Sequence, residues 1–340
     1  MASAQGTFLD QVPELRPMQE EWDRIHQVRD IIVEALERGE ATKESVSNHV
    51  IGGSVGKNTF RRYRNELDLL VVIKNFDLLR HRKGVYLDAF ETELKTAFGQ
   101  VAEVSGNPDR SKRRSIQIVW KSGPLVGMKV DVLAVGILPR GAVSFLSMSP
   151  EEREWMSGAS VVLGRKFFLA QAQPFQDTVR IVKAWRDSKT EWKFRKPKSF
   201  LLEIIVAHVV QLCAAQTEGM QNKELWQAVF ACFLQFVAKF TGKRKGRLRN
   251  ITIHFNVHYH MKTLMSVWRS KTPRVLIPDP ANPTVNAADC TDDQWNELVA
   301  YAKDTLKLVR KNKYQFSASA LRSSKGRSQR SALPQESKKQ

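Results

Sequence analysis

The chain has 340 residues, of which 42% are hydrophobic and 26% are charged, and its formal net charge is +19 with a pI near 9.9. This composition excludes a disordered or fibrous protein, and the length favours two lobes over one compact core. The positive charge favours polyanionic partners such as nucleic acids and nucleotides, but it does not identify a reaction.

The cysteines and the N-terminus limit the cellular setting. Cys213, Cys232 and Cys290 lie far apart, so their spacing supports neither a disulfide framework nor a zinc finger. The N-terminus shows no basic region followed by an apolar run, and no uninterrupted apolar stretch approaches the length of a membrane span. We therefore expect a cytoplasmic protein without a membrane partner. The sequence does not indicate its oligomeric state.

The first half of the chain is predicted to mix helices and strands. Apolar residues at helical spacing predict a helix over 18–38. Residues 48–54 are expected to form a glycine-containing loop, which leads through a short helix into a strand over 67–73. The remaining elements of this half are predicted to be one helix and two strands, at 90–101, 115–120 and 128–135.

The second half is predicted to be mainly helical, with one strand over 251–258. Its clearest helices are expected at 178–187, 199–212, 223–240 and 291–311. The sequence therefore predicts an α+β fold with a mixed sheet in the first lobe and mostly helices in the second. We place the two lobes and a disordered basic tail at 1–150, 151–316 and 317–340, respectively.

A glycine pair and two acids form the first candidate site. Gly52 and Gly53 allow the backbone to approach a phosphate closely, and Ser54 can donate a hydrogen bond to it. Glu66 and Asp68 follow at the start of the apolar strand. Because residues two apart on a strand point to the same face, both carboxylates can hold a hard cation such as Mg²⁺.

Asp131 is the candidate for a third carboxylate. It interrupts an apolar predicted strand, where an acid is costly to bury unless it is paired or bound to a metal ion. Three acids that bind two Mg²⁺ ions can activate an attacking hydroxyl and stabilise a departing pyrophosphate. The sequence therefore predicts that Glu66, Asp68 and Asp131 are both catalytic and metal-binding. Lys57 adds positive charge near the phosphates.

Several segments of this chain resemble the 2′-5′-oligoadenylate synthetases and their relative cyclic GMP-AMP synthase. The glycine-containing segment and the strand after it resemble the active-site segment of these enzymes, and the strand of Asp131 resembles the one with their third acid. A proline-rich segment near the C-terminus resembles a signature of the synthetases. The matching segments are 52–59, 66–72, 129–134, 179–185, 197–205 and 277–286.

The resemblance implies a two-lobed nucleotidyltransferase fold and further site residues. Lys183 would contact the phosphates of the donor nucleotide. Ser199 and Phe200 stand where the synthetases tend to have glutamine and tyrosine around that nucleotide, and Phe200 would stack on its base. Arg165, with its neighbour Lys166, would contact double-stranded RNA. A basic loop offers further candidates for RNA binding, namely Lys243, Arg244 and Lys245.

The leading hypothesis is a template-independent enzyme that joins ATP units into 2′-5′-linked oligoadenylates with Mg²⁺ and is activated by double-stranded RNA. By resemblance, this product would act in antiviral defence. A cyclic-dinucleotide synthase stays open, because Glu66 stands where the synthetases usually have aspartate and the cyclic-dinucleotide relatives often have glutamate. A catalytically inactive RNA-binding relative is the third alternative, and the intact set of three acids argues against it.

Overall fold

A computed structural model describes residues 7–109, 113–172, 174–240, 243–244, 247–248, 251–255, 257–269 and 275–315. The chain has the predicted α+β fold, built around a five-stranded mixed sheet. The strands of this sheet are β1 (Val46–Ile51), β2 (Glu66–Ile73), β3 (Ala102–Gly106), β4 (Ile116–Trp120) and β5 (Lys129–Val135). They lie in the order β1-β2-β5-β4-β3, and only β2 and β5 pair in parallel.

The two faces of β2 have different surroundings. Leu67, Leu69 and Val71 enter the core of the first lobe, whereas Asp68 and Leu70 point to the opposite face and line a cleft. This alternation explains how an acid can occupy an apolar strand, because the cleft gives it access to ligands and solvent.

Helices α2 (Gln19–Arg38) and α5 (Val85–Phe98) cover the apolar face of the sheet. The helix predicted over 18–38 is confirmed, and its buried residues recur at helical spacing. The helix predicted over 90–101 begins earlier, at Val85. Three shorter helices belong to this half of the chain: α1 (Val12–Leu15), α3 (Gly53–Gly56) and α4 (Leu78–Arg82).

The second half is mainly helical, as predicted. Its helices are α6 (Pro150–Trp155), α7 (Ser157–Leu169), α8 (Phe175–Ser188), α9 (Ser199–Cys213), α10 (Asn222–Ala238), α11 (Met261–Trp268) and α12 (Asp292–Arg310). Short strands connect them: β6 (Lys243–Arg244), β7 (Arg247–Leu248), β8 (Ile251–Thr252), β9 (Val275–Leu276), β10 (Pro278–Asp279) and β11 (Asn282–Asn286). Large aromatic side chains fill the core, and the indole of Trp185 donates a hydrogen bond to Thr305 Oγ1 at 2.9 Å.

The start of the described chain packs against this second core. Phe8, Val12 and Leu15 are buried among its helices, and the backbone N–H of Phe8 donates to the carbonyl of Tyr314. The predicted lobe boundaries at 1–150 and 151–316 stay predictions, and the predicted tail at 317–340 lies outside the described residues.

Helix α9 is the most apolar helix of the chain. The stretch Ser199–Gln216 is long and apolar enough to cross a membrane by length and composition, but Glu203 and His208 interrupt its apolar sequence. Most of α9 is buried within the second core. Apolar core helices that do not cross a membrane pass the same test of length and composition.

Two local predictions are wrong. The strand predicted over 251–258 ends at Thr252, because β8 pairs with only two residues of β9. Its alternating residues Ile253 and Phe255 are buried although their backbone is irregular. The loop predicted over 48–54 contains most of β1, which escaped detection because this edge strand is polar and only partly buried.

Candidate active site

Strand pairing brings the two predicted catalytic aspartates together. β2 and β5 are parallel neighbours, and their register places Asp68 opposite Asp131. Strands paired in this way lie about 4.8 Å apart. Burial raises the pKa of Asp68 and the charge of Asp131 raises it further, against the opposing charge of Lys57. Two carboxylates so close cost free energy unless a proton or a cation neutralises them, so the donor set fits Mg²⁺.

Glu66 lies on the same face of β2 but is not yet part of this pair. Its side chain is 67% exposed, and Oε2 lies 4.0 Å from a guanidinium nitrogen of Arg64. Within the described part of the chain, no three His, Cys, Asp or Glu side chains lie close enough together to hold a metal ion as they stand. Glu66 would have to turn away from Arg64 to join Asp68 and Asp131.

The glycine pair packs directly against Asp68. The backbone N–H of Gly52 donates to the carbonyl of Asp68 at 2.8 Å. Gly53 has φ +54, in the left-handed region, and a Cβ at this position would collide with the Asp68 carboxylate. A Cβ on Gly52 would collide with Leu70. Ser54 follows in α3 and is partly buried, but its side chain is not part of the cleft wall.

A buried glutamate pairs with both candidate lysines. Glu203 of α9 is 1% exposed, forms an ion pair with Lys57, and lies 2.6 Å from Lys183 Nζ. The Thr59 hydroxyl also donates to the Glu203 carboxylate, at 3.2 Å, while Lys183 donates to the Thr59 carbonyl at 3.2 Å. The structure thus places Lys183 behind Lys57, and only Lys57 lines the cleft.

The charges of this cluster depend on one another. Burial alone would raise the pKa of Glu203, but Lys183 and Lys57 outweigh burial and lower the pKa to about 2. Burial lowers the pKa of Lys183 to about 8, although Glu203 opposes this change. At neutral pH the carboxylate is therefore ionised, and Lys183 stays mostly protonated beside it.

Two aromatic rings flank Lys57 at the cleft. Its Nζ lies 4.9 Å from the ring centre of Phe168 and 5.3 Å from that of Phe200, within the range of cation–π contacts. Phe200 is half-buried and exposes part of its ring to the cleft, as a base-stacking residue must. Ser199 lies outside the cleft wall, and its hydroxyl accepts a hydrogen bond from Arg186 at 2.9 Å.

The proline-rich signature contributes an acid to the same cleft. Asp279 is 8% exposed, and its Oδ1 accepts a hydrogen bond from the backbone N–H of Ala281 at 2.8 Å. Burial raises the pKa of Asp279 to about 6, against the backbone N–H groups of Ala281 and Asn282 and the charge of Lys57. The side chain of Asn282 holds the next turn by accepting from the Thr284 backbone at 3.1 Å.

These parts surround one cleft of about 720 Å³, which is within the usual range for sites that bind small molecules. One wall is the sheet face with Asp68, another is the turn with Asp279, and a third is the length of α7. Phe168 and Phe200 stand near one end. The structure therefore joins the glycine loop, Asp68, Lys57 and Phe200 in a single space.

The candidate RNA-binding residues are only partly described. Arg165 lines the cleft, and its Nε donates to the carbonyl of Gly56 at 3.0 Å, so it supports the glycine loop from α7. Lys166 is exposed. Lys243 and Arg244 form β6, whose side chains are not described, and Lys245 lies outside the described residues.

Sequence reasoning missed three residues of this site. Glu203 and Asp279 lay inside segments quoted for the resemblance, but no role was given to either. The signal for Glu203 was a lone acid within the apolar sequence of α9, which is the argument that identified Asp131. Arg153 of α6, also in the cleft wall, has no distinguishing sequence pattern.

Comparison with known proteins gives a family match. Residues 148–323, slightly more than half of the chain, match the family described as 2′-5′-oligoadenylate synthetase 1, domain 2, C-terminus.

Solved structures share the fold. CdnC of E. coli MS115-1 in a CdnC:HORMA-deltaN complex is 22% identical, with a TM-score of 0.61 over 87% of each chain. Cid1 poly(U) polymerase bound to MgATP is 12% identical, with a TM-score of 0.63 over 92% of this chain and 96% of that one. The CD-NTase CdnG of Bradyrhizobium diazoefficiens in complex with GTP is 14% identical, with a TM-score of 0.53 over 93% and 95%. The predicted two-lobed nucleotidyltransferase fold is therefore confirmed.

Replacing Gly53 with alanine tests the contact between the glycine loop and Asp68. We expect Gly53→Ala to lower the free energy of unfolding by about 1–2 kcal/mol because of its positive φ, and also to displace the Asp68 carboxylate. Gly219→Ala is the matched control, since Gly219 has φ +79 and open space around its Cβ position. Only Gly53→Ala should abolish the rise in melting temperature on adding ATP and Mg²⁺. An equal rise in both variants would contradict this.

Neutralising Glu203 tests the buried ion cluster. Glu203→Gln leaves two lysines without their counter-charge, so we expect urea unfolding at pH 7 to show a loss of about 3–5 kcal/mol. Glu151→Gln, at an exposed pair with Arg82, should cost less than about 1 kcal/mol.

The pH dependence follows from the direction of the Glu203 shift. Its folded pKa of about 2 is below the value near 4.3 of an unfolded chain, so its stabilisation is complete above that value and is lost as the pH falls toward 2. Glu203→Gln should flatten this part of the stability profile. An unchanged profile would contradict the assignment.

Proposed function

The chain belongs to the 2′-5′-oligoadenylate synthetase family, and from this premise we propose that it joins ATP units into 2′-5′-linked oligoadenylates. The observation that supports this most is the composition of the cleft. Asp68, the glycine loop, Lys57 and the half-buried ring of Phe200 surround one space large enough for nucleotides, and Asp131 lies beside Asp68 on the neighbouring strand.

In the proposed reaction, the 2′-oxygen of an acceptor nucleotide attacks the α-phosphorus of ATP. The new bond joins this oxygen to phosphorus, the bond between the α-phosphorus and the β-phosphate oxygen breaks, and pyrophosphate leaves. The hydroxyl proton passes to a carboxylate, for which Asp131 is our candidate. The glycine loop and Ser54 bind phosphate oxygens, while Lys57 adds positive charge.

Asp68 and Asp131 would hold Mg²⁺, and Glu66 would join them after its side chain turns. We propose two ions, which would stabilise phosphate charge and acidify the attacking hydroxyl. Phe200 would stack on the donor base. Lys183 would act through Glu203 and Lys57 in the described arrangement, and would reach phosphate directly only if that ion cluster opened.

Double-stranded RNA is the proposed activator. The support is the net charge of +19 and two basic residues of α7. Lys166 is exposed, and Arg165 donates a hydrogen bond to the carbonyl of Gly56 in the glycine loop. Such a protein would read the shape and phosphates of the RNA, not its sequence. We place this activity in the cytoplasm, in antiviral signalling.

A cyclic-dinucleotide synthase is the second candidate. Glu66 favours it by resemblance, and the signature turn with Asp279 favours the synthetases. The two enzymes differ in their products. A synthetase makes a linear oligoadenylate from ATP, whereas a cyclic-dinucleotide synthase makes a cyclic product and requires GTP if that product is mixed.

Product analysis tests these proposals in one experiment. We expect ATP and Mg²⁺ to yield linear oligoadenylates that resist a 3′-5′-specific nuclease, at a higher rate with double-stranded RNA than without it. Asp68→Asn and Asp131→Asn should each lower the rate at least about 100-fold, because each removes a carboxylate from the reacting centre.

Glu103→Gln is the control for a lost acid on the same sheet, since Glu103 is 60% exposed and its ion pair within the described residues is with Lys121 at the surface. A cyclic product would support the second candidate instead. Absence of any joined product from the wild type, with every nucleotide and with RNA, would contradict both and support the inactive RNA-binding alternative.

A further inference from the structure

Helix α7 lines the cleft along its length, so the two ends of the helix mark the two ends of the cleft. Gly158, near its start, lies against Val135 with no room for a Cβ, and Phe168, near its end, flanks Lys57. Ten residues of helix span about 15 Å. Between these points, Val161 lies beside Gly52, where a Cβ would be 3.2 Å from its methyl group. The glycine loop and Asp68 therefore face the middle of the cleft.

The two ends of the cleft offer different chemistry. Phe168, Phe200, Lys57 and Asp279 stand near one end, which the proposed function gives to the donor nucleotide. At the other end the wall is formed by α6 and the first turn of α7. An enzyme that joins two nucleotides must also hold an acceptor, with its sugar hydroxyl at the acids. The end at α6 is the space left for it.

Arg153 is a preorganised cation at that end. Its Nε donates to the carbonyl of the fully buried Phe145 at 2.9 Å, which fixes the plane of the guanidinium. Among the described residues the guanidinium forms no other hydrogen bond or ion pair, so its terminal nitrogens are available to a ligand in the cleft. A fixed guanidinium loses little side-chain entropy when it binds an anion.

The three acids of α6 already have partners of their own. Glu151 pairs with Arg82, and Glu154 pairs with Arg114 at 2.9 Å. Glu152 accepts a hydrogen bond from the backbone N–H of Ser149 at 2.7 Å and so caps the helix. The guanidinium of Arg153, in contrast, has no ion-pair partner among the described residues.

We propose that Arg153 binds the 5′-phosphate of the acceptor nucleotide, an inference that rests on the proposed function. The planar guanidinium matches two phosphate oxygens and forms charge-assisted hydrogen bonds with them. Every acceptor in chain growth carries this group next to its acceptor ribose, as the α-phosphate of ATP at first and as the internucleotide phosphate afterwards. Arg153 thus selects acceptor nucleotides over nucleosides at every step.

A competition between two acceptors tests this selection. Full-length protein receives ATP, Mg²⁺, double-stranded RNA and equal amounts of AMP and adenosine, and mass spectrometry measures the two joined products, which differ by the acceptor phosphate. The product ratio does not depend on how much of a variant is folded. We expect the wild type to favour AMP at least about tenfold, and Arg153→Ala to reduce the ratio by roughly tenfold or more.

Two further variants define the contact. Arg153→Lys should retain part of the preference for AMP, because lysine keeps the positive charge but lacks the paired planar N–H donors of a guanidinium. Arg140→Ala removes an exposed arginine outside the cleft wall and should leave the ratio unchanged. If Arg153→Ala leaves the AMP preference intact, or instead changes a choice between AMP and GMP, the inference is wrong and the proposed function stands. If the wild type joins no nucleotides, the proposed function fails and this inference with it.

Discussion

The rest of the site depends on the ion pairs that the buried carboxylate of Glu203 forms with two lysines. Glu203 lies on α9 and binds Lys57, from the segment after the glycine loop, and Lys183, from α8. A carboxylate or a lysine left alone at this depth would cost several kcal/mol, so the three charges stabilise the fold only as a group. The cluster therefore holds the glycine loop against the helical lobe and sets the position of Lys57 at the cleft.

Other charged side chains extend this junction along the same segment. Arg180 donates to the carbonyls of Phe60 at 3.0 Å and Asn58 at 2.8 Å, and Arg61 pairs with Asp187 at 2.6 Å. The chain leaves this junction, enters β2 and reaches Asp68. Polar contacts of α8 with the backbone thus restrain the segment that precedes β2.

The elements and residues that the sequence could predict are those marked by local patterns of apolar and charged residues. The strand over 67–73 and the helix over 18–38 follow from apolar spacing, and Asp131, which is partly buried, was informative because its neighbours in the sequence are apolar. The partners of Glu203 could not be found this way, because Lys57 lies 146 residues away and only tertiary packing joins them. The inward position of Arg165 was hidden for the same reason, since a helical arginine is usually solvated.

In the proposed enzyme, the cleft holds a donor nucleotide at the paired aspartates. The most direct test is a crystal structure with a non-hydrolysable ATP analogue and Mn²⁺, whose anomalous scattering locates the metal. We expect metal density between Asp68 and Asp131, phosphates at the glycine loop and the adenine on Phe200. A nucleotide bound elsewhere, or saturating Mn²⁺ without density at the two aspartates, would contradict it.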